Sequence, residues 1–353
     1  MLPINTSKTK NDSPNIFGLC WAAFLGLAFY YSGFFVILTP IVYVYLLMRY
    51  PLKWALLSYL LSLIVVSLVA ILLVPKIYLF YQSKPQWEWL FPIPGMGLLQ
   101  MLSHTTVAVF GIAYFVGLGL LAYSISRYFL TKYPFQYLMR VSLMAVLLLG
   151  LGLVGYSFLR HVSLDGFLRD YYLAAVNEFI ALEQQAGLPK DQIGFIKEYT
   201  PTIVNSMTFL TPSFCFVSIV TILLLNIVIV KKFFLIFIPK VKQVPLNEWV
   251  TPFAGVWVVI AALSLFVGWI YELTPKTLLP FAGNALLMMT FLYYIQGLSV
   301  VSYFLEKKGV RLFSKIMIYS VIFLFFQMTG MTLVALGFSD SWFDLRKLQK
   351  NVS

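Results

Sequence analysis

Two side chains one helical turn apart, Gln100 and His104 in LLQMLSHTTVAVFG, are the pair best suited to meet a polar ligand. An amide offers both a donor and an acceptor, and an imidazole changes charge near neutral pH. Set near one end of an apolar run, they would face a small polar molecule entering from that side. The same groups would serve equally well in hydrogen bonds to a neighbouring helix, a common use of polar side chains in membranes. Four more amides stand in apolar runs: Asn226 in LLLNIVIVKK, Asn284 in FAGNALLMM, Gln296 in FLYYIQGLSVVSYFLEKKG, and Gln327 in FFQMTGMT. For these, contacts between helices are the expected role. On a helix Ser299 and Tyr303 share the face of Gln296, whereas Asn284 is turned about 120° away, so Gln296 and Asn284 should address different neighbours. Gly297 beside Gln296 would let another backbone come close.

The remaining chemistry is sparse. The apolar spans hold no Asp, Glu, Lys or Arg in their interiors, and the chain has two histidines, His104 and His161. Proton relays and ion-coupled transport generally need ionisable groups at membrane depth, and a catalytic zinc needs several nitrogen, sulfur or carboxylate ligands. No nucleophile–base spacing and no phosphate-cradling glycine motif occurs. A non-enzymatic protein without cofactor or metal is therefore expected. Cys20 and Cys215 lie in apolar runs and make no disulfide framework.

The elements carrying these residues must be membrane helices. Of 353 residues 61% are hydrophobic and 11% charged, and mean hydropathy is +0.88; soluble domains carry about 25% charge. The net charge of +12 is dispersed between apolar runs, which favours the positive-inside rule and contact with membrane lipid over nucleic acid. Crossing hydrocarbon takes about 20 apolar residues. The sequence predicts spans near 54–74, 97–123, 141–158, 207–229, 251–271, 277–304 and 316–337, with residues 1–15 and 338–353 as tails of a helical domain over 16–337. The run Ile16–Met48 is either one tilted helix or a helix and a half-helix separated at Thr39-Pro40. The expectation is an all-α transmembrane bundle of eight or nine membrane elements.

Segments 127–140, 231–250 and 306–315 are rich in Lys and Arg and so are predicted to be cytoplasmic; alternation then puts the carboxyl terminus outside. Segment 159–206 carries six acids against four bases and is placed on the outer face. There Leu164, Leu168, Tyr172, Ala175, Phe179 and Leu182 form the stripe of an amphipathic helix stopped by Gly187 and Pro189. A short helix over Lys190–Tyr199, ending before Pro201, would complete an outer hairpin, lying on the membrane or covering a pocket. Another surface helix is expected in FFLIFIPKVKQVPLNEW.

Gly18, Ala22 and Gly26 form a small-xxx-small ladder that allows close helix approach, within the chain or by another subunit. In the tail GFSDSWFDLRKLQ, Ser341 and Asp344 have capping-box spacing for a short exit helix, with Trp342 and Phe343 at the interface. Asp340, Asp344 and Arg346 would alternatively form an ion-pair latch or meet a partner.

Asn284 in FAGNALLMM, the stretch FLYYIQGLSVVSYFLEKKGV and the closing FSDSWFDLRK together resemble the YybS-like bacterial membrane proteins. The resemblance covers most of the chain after about residue 200 and includes PSFCFVSIVTILLLNIVIVKK; before that it rests on the order of spans, and the chain departs in its aromatic richness. It implies a multi-pass protein of the bacterial cytoplasmic membrane. In general plan it is similar to substrate-binding subunits of energy-coupling-factor vitamin transporters and, more distantly, to MreD-type scaffold proteins. In the former a small-residue ladder in the first helix docks a coupling subunit, a pattern to which Gly18, Ala22 and Gly26 correspond. No vitamin-binding motif carries over. Two roles are expected on this basis: a ligand-binding subunit that draws energy from a partner, or a scaffold joined to another membrane subunit or to its own copies.

Overall fold

A computed structural model describes residues 16–32, 35–73, 76, 104–129, 134–187, 189–234, 247 and 249–348. Among the described residues the fold is all-helical. The helices are α1 (Ile16–Tyr31), α2 (Thr39–Arg49), α3 (Leu52–Leu72), α4 (His104–Tyr128), α5 (Pro134–Arg160), α6 (Leu164–Gln185), α7 (Lys190–Ile229), α8 (Ala254–Ile270), α9 (Leu279–Lys307), α10 (Leu312–Leu324) and α11 (Phe326–Phe343). Among the described residues four stretches, Leu52–Leu72, Tyr137–Phe158, Asp191–Phe233 and Lys276–Lys307, are long and apolar enough to cross a membrane, or five if the bent pair α10–α11 counts as one. Of the expected eight or nine membrane elements, four or five such spans stand among the described residues, with Ile16–Tyr31, Phe35–Arg49 and Ala254–Ile270 as shorter apolar helices. At 1.5 Å per residue the 17 residues of α8 reach about 25 Å, short of the roughly 30 Å hydrocarbon core.

The chain divides into two units; one comprises residues 1–131, 154–205 and 221–242, the other 132–153, 206–220 and 243–353. In the first unit α1 and α2 are separate helices joined by a 3₁₀ turn at Phe35–Leu38, with Pro40 in the first turn of α2. That is the half-helix alternative of the sequence reading. Proline fits there because a first-turn N–H has no intrahelical acceptor. The core gathers Val44, Phe115, Ala122 and Ile125, all fully buried, with the rings of Tyr59 and Phe115 stacked and Tyr43 edge-on to both. Side-chain hydroxyls stitch α1, α3 and α4 through backbone carbonyls. Ser58 donates to Leu19 O at 3.1 Å, Tyr30 to Gly111 O at 2.7 Å, and Tyr59 to Phe115 O at 3.2 Å.

The amphipathic helix of segment 159–206 forms as α6, but its buried face differs from the expected stripe. Val176 and Ile180 are buried against Ile193 and Val204, with Tyr172 packed alongside, whereas Ala175, Phe179 and Leu182 are exposed. The facing residues of α7 select the i, i+4 row 172–176–180, one position round from the row read from apolar spacing alone. Ser163 caps α6 by accepting from Gly166 N, and Gly187 ends it at φ +83°. The predicted short helix Lys190–Tyr199 does not stop before Pro201. It continues as α7 through both Pro201 and Pro212 to Ile229, then a π turn over Val230–Phe234. Thr200, just before the first proline, returns its hydroxyl to Ile196 O at 2.9 Å. The expected surface helix before Thr251 falls largely at 235–246, outside the described residues.

The ladder on α1 is not uniform. A Cβ at Gly18 would meet nothing within 4 Å, while one at Gly26 would lie 2.2 Å from the Tyr43 hydroxyl oxygen; Ala22 is buried. Gly26→Ala should therefore lower stability by about 1–3 kcal/mol through overpacking, partly restored by adding Tyr43→Phe, whereas Gly18→Ala should be neutral. Thermal unfolding of the purified full chain in detergent checks this; equal effects at the two glycines would contradict it.

Candidate functional site

Polar groups at membrane depth need partners, because an unsatisfied backbone or side-chain group in hydrocarbon costs several kcal/mol. Three of the span amides, Asn226, Asn284 and Gln296, end on backbone groups beside prolines. Asn226 of α7, in the first unit, is fully buried and donates from Nδ2 to Ile37 O at 2.8 Å, besides its own Ile222 O at 2.7 Å. Ile37 lies in the 3₁₀ turn, where its i+3 donor would be Pro40, a residue with no N–H. The amide supplies the missing proton from another helix.

In the second unit Asn284 of α9 does the same at Pro212 of α7. Its Oδ1 accepts from Ser213 N at 3.0 Å and its Nδ2 donates to Phe209 O at 2.8 Å. Ser213 N and Phe209 O are an i, i−4 pair, one rung of the helical ladder, at the step a proline ring at 212 tends to open. The side-chain amide bridges that rung. Its second proton goes to Pro280 O at 2.8 Å, and the Ser213 hydroxyl lies 2.6 Å from Oδ1. Both ends of Asn284 are engaged. A Cβ at the neighbouring Gly283 would stand 3.3 Å from the Phe209 ring, so α9 and α7 meet closely at this point.

Gln296 anchors a second cluster further along α9. Its Oε1 accepts from Thr251 N at 3.0 Å, the residue before Pro252, and its Nε2 donates to Asp340 Oδ2 at 2.9 Å and Ser341 Oγ at 3.2 Å. Arg346 completes the cluster with nearly all its guanidinium donors: to Asp340 Oδ2 at 2.7 Å, Ser299 Oγ at 2.8 Å, Trp249 O at 2.8 Å, and Asn247 O. Both members of the Arg346–Asp340 ion pair are buried, at 0% and 2% side-chain exposure. The glycines make the close crossing possible. A Cβ at Gly297 would sit 2.1 Å from Leu333 O, and one at Gly337 2.1 Å from Tyr293 O. Each glycine of one helix faces the backbone of the other, with no side chain between them at these two points.

The tail departs from its expected form in two respects. Ser341 does not open a capping box: it lies inside α11, buried against Gln296, and α11 ends at Asp344 in a left-handed conformation. Asp344 instead accepts from Leu348 N at 2.9 Å. Packing beneath Gln296 outweighs the local capping preference, and the Asp340–Arg346 latch is the alternative realised. Sidedness also differs. Arg346 bonds to 247 and 249, and Asn247 donates to Glu306, so the tail lies at the same end of α9 as the basic segment 306–315 and the close of segment 231–250. The described tail, through Leu348, thus lies with segment 306–315 and not opposite it, against the expected alternation. The predicted span at 316–337 is instead two helices bent by 107° at Phe325, starting and finishing at one end of α9.

Not all the candidates are brought together. Gln100 lies outside the described residues, and His104 opens α4 without a described side chain. Gln327 is exposed in the first turn of α11. Asp340 and Arg346 are the residues that sequence reading placed outside the helical domain; their signal was the conjunction of Asp, Ser and Arg with Gln296 and Ser299 on one face. Among the described residues no group of His, Cys, Asp and Glu is arranged to hold a metal.

Asn284→Leu should destabilise the chain by about 2–3 kcal/mol, the penalty for orphaned buried groups, and the loss should shrink in a Pro212→Ala background, where the α7 ladder can close. A thermal double-mutant cycle in detergent measures the coupling; strict additivity would contradict the bridge. For sidedness, Lys308→Cys and Lys347→Cys, each in a chain with Cys20 and Cys215 replaced by serine, should react with impermeant maleimide from one side of the membrane. Lys276→Cys, at the other end of α9, should react from the opposite side.

No curated protein and no solved structure matches the chain. A family model described as "Predicted membrane protein (DUF2232)" matches residues 95–341, a stretch holding the Asn284 bridge and the Gln296–Asp340 cluster, and the chain belongs to that family of predicted membrane proteins.

Proposed function

We propose that this integral membrane protein works as a non-enzymatic scaffold or assembly factor, engaging other membrane proteins through its helices. The observation that carries the reading is the direction of the membrane-depth amides. Asn226, Asn284 and Gln296 all turn to backbone groups of other segments. A binding subunit needs polar groups aimed at its ligand; a scaffold needs a fixed internal frame and an outer apolar surface. Trp257, Phe281, Phe313 and Phe323 are among the large side chains on that surface, available to lipid or to a partner helix. The basic segments at one end of α9 would add an electrostatic contact.

A second reading, a substrate-binding subunit energised by a partner, is favoured by the discontinuous helices. The α1–α2 break and the 107° bend of α10–α11 are of the kind that surrounds solute sites in transporters. Gln100 and His104 would be its first candidates for ligand contact. The YybS-like resemblance, with its similarity to vitamin-transporter subunits and to MreD-type scaffolds, is compatible with either role, in a bacterial cytoplasmic membrane.

Cross-linking in native membranes followed by purification separates the two. The scaffold reading expects a defined protein partner, or a homo-oligomer, in fixed stoichiometry and no small molecule by mass spectrometry of the extracted sample. A near-equimolar small organic molecule that is lost on His104→Leu would overturn it in favour of the binding subunit.

A further inference from the structure

The turn between α9 and α10 gathers Lys307, Lys308, Arg311 and Lys315 within nine residues. Lys307, Lys308 and Arg311 are exposed. Among the described residues none of the four bases has an ion pair; Lys307 rests its ammonium against the Tyr303 ring at 5.9 Å. The nearest acid in sequence, Glu306, is taken by Asn247. Gly309, at φ +62°, reverses the chain, with Val310 N bonding back to Leu305 O at 3.0 Å. Arg311 and Lys315 follow one turn apart at the start of α10, on neighbouring positions of one face.

Beyond these bases the chain is apolar and uncovered. None of the 13 residues of α10 is buried. Leu312 and Phe313 are each 74% exposed, and Phe323 reaches 80%. Thirteen residues make about 20 Å of helix, too short to cross the roughly 30 Å core. Since α11 returns Arg346 to the end of α9 from which α10 starts, α10 enters the leaflet on that side and does not leave by the other.

We propose that the Lys307–Lys315 turn and α10 form a docking surface for an anionic phospholipid, its phosphate held by the four bases and its acyl chains lying along α10. The surface has the two chemistries of such a lipid in the order the lipid presents them: positive charge at the interface, then exposed hydrocarbon side chains at acyl depth. An acidic protein segment would match the bases and leave Leu312, Phe313 and Ile316 uncovered. Free phosphate would match the bases alone. Juxtamembrane basic clusters attract anionic lipid at a strength that corresponds to about five-fold in affinity for each base near the surface.

The test uses the full chain in nanodiscs of phosphatidylcholine with a minor share of phosphatidylglycerol, released into native mass spectrometry to count retained lipids. Wild type should keep phosphatidylglycerol in preference to phosphatidylcholine. Lys308→Ser, Arg311→Ser and Lys315→Ser should each weaken that preference by about five-fold, and the triple variant should abolish it. Lys276→Ser, at the far end of α9, should leave it intact. An unchanged thermal transition of the triple variant verifies that folding is not the cause. The proposal is overturned if wild type shows no preference, if the triple variant retains it, or if inorganic phosphate displaces the lipid completely. It is equally overturned if the triple variant loses a co-purifying acidic protein while keeping its lipid selectivity.

Discussion

In hydrocarbon there is no water to accept what a proline releases, and much of this fold is organised around that constraint. Pro40 and Pro212 each leave a backbone group without its ordinary helical partner, and Thr251, just before Pro252, lies outside any helix with an N–H to satisfy. Each is met by an amide from elsewhere in its unit: Asn226 at Ile37 O, Asn284 at the Ser213–Phe209 rung, Gln296 at Thr251 N. A threonine in the same helix can return its hydroxyl to a carbonyl of the preceding turn, as Thr200 does. An amide offers donor and acceptor on separate atoms, and Asn284 uses both to bridge a whole rung.

Close approach is the second requirement, and it comes from glycine. An amide reaches a neighbouring backbone only if the two helices stand nearer than ordinary side chains allow. Gly297 beside Gln296, opposite Leu333 O, and Gly337 opposite Tyr293 O remove the side chains at the α9–α11 crossing. Gly283 beside Asn284 plays a lesser part against Phe209. Amide and glycine adjacent in sequence are thus one device used twice on α9, at Gly283-Asn284 and at Gln296-Gly297. The glycine brings the neighbour in, and the amide fixes its register by hydrogen bonds that a slipped helix would lose.

Much of this device was legible in the sequence, because polar residues in apolar runs have few alternatives. The angular separation of Asn284 from Gln296 gave their different neighbours. What escaped was everything that depends on which partner arrives. The row 172–176–180 of α6 is chosen by Ile193 and Val204, residues that spacing within α6 does not contain. Pro201 reads as a stop in isolation, yet a helix held on either side continues through it. Ser341 and Asp344 have the spacing of a cap, and local spacing says nothing of Gln296 waiting beneath. Alternation of spans assigned the tail to the wrong side, since alternation assumes that each apolar run crosses. The run at 312–343 bends and returns, and the basic residues 346 and 347 of the tail were the sign against crossing.

The buried ion pair explains why the return is fixed rather than loose. Two charges taken out of water seldom add net stability over an apolar pair, and removing one partner is far more costly than never having had either. Asp340 and Arg346 therefore act less as glue than as a condition. Arg346 is tolerated at 2% exposure only where Asp340, Ser299 and the carbonyls of 247 and 249 are all in place at once. Those groups come from α11, α9 and the segment preceding α8, so the guanidinium is satisfied by a single arrangement of three elements. Any register in which α11 slid by a turn against α9 would strand a charge and set a helix backbone against the wrong residue instead of glycine. Specificity of this kind, bought with a desolvated pair, ties the tail to one register of α11 on α9.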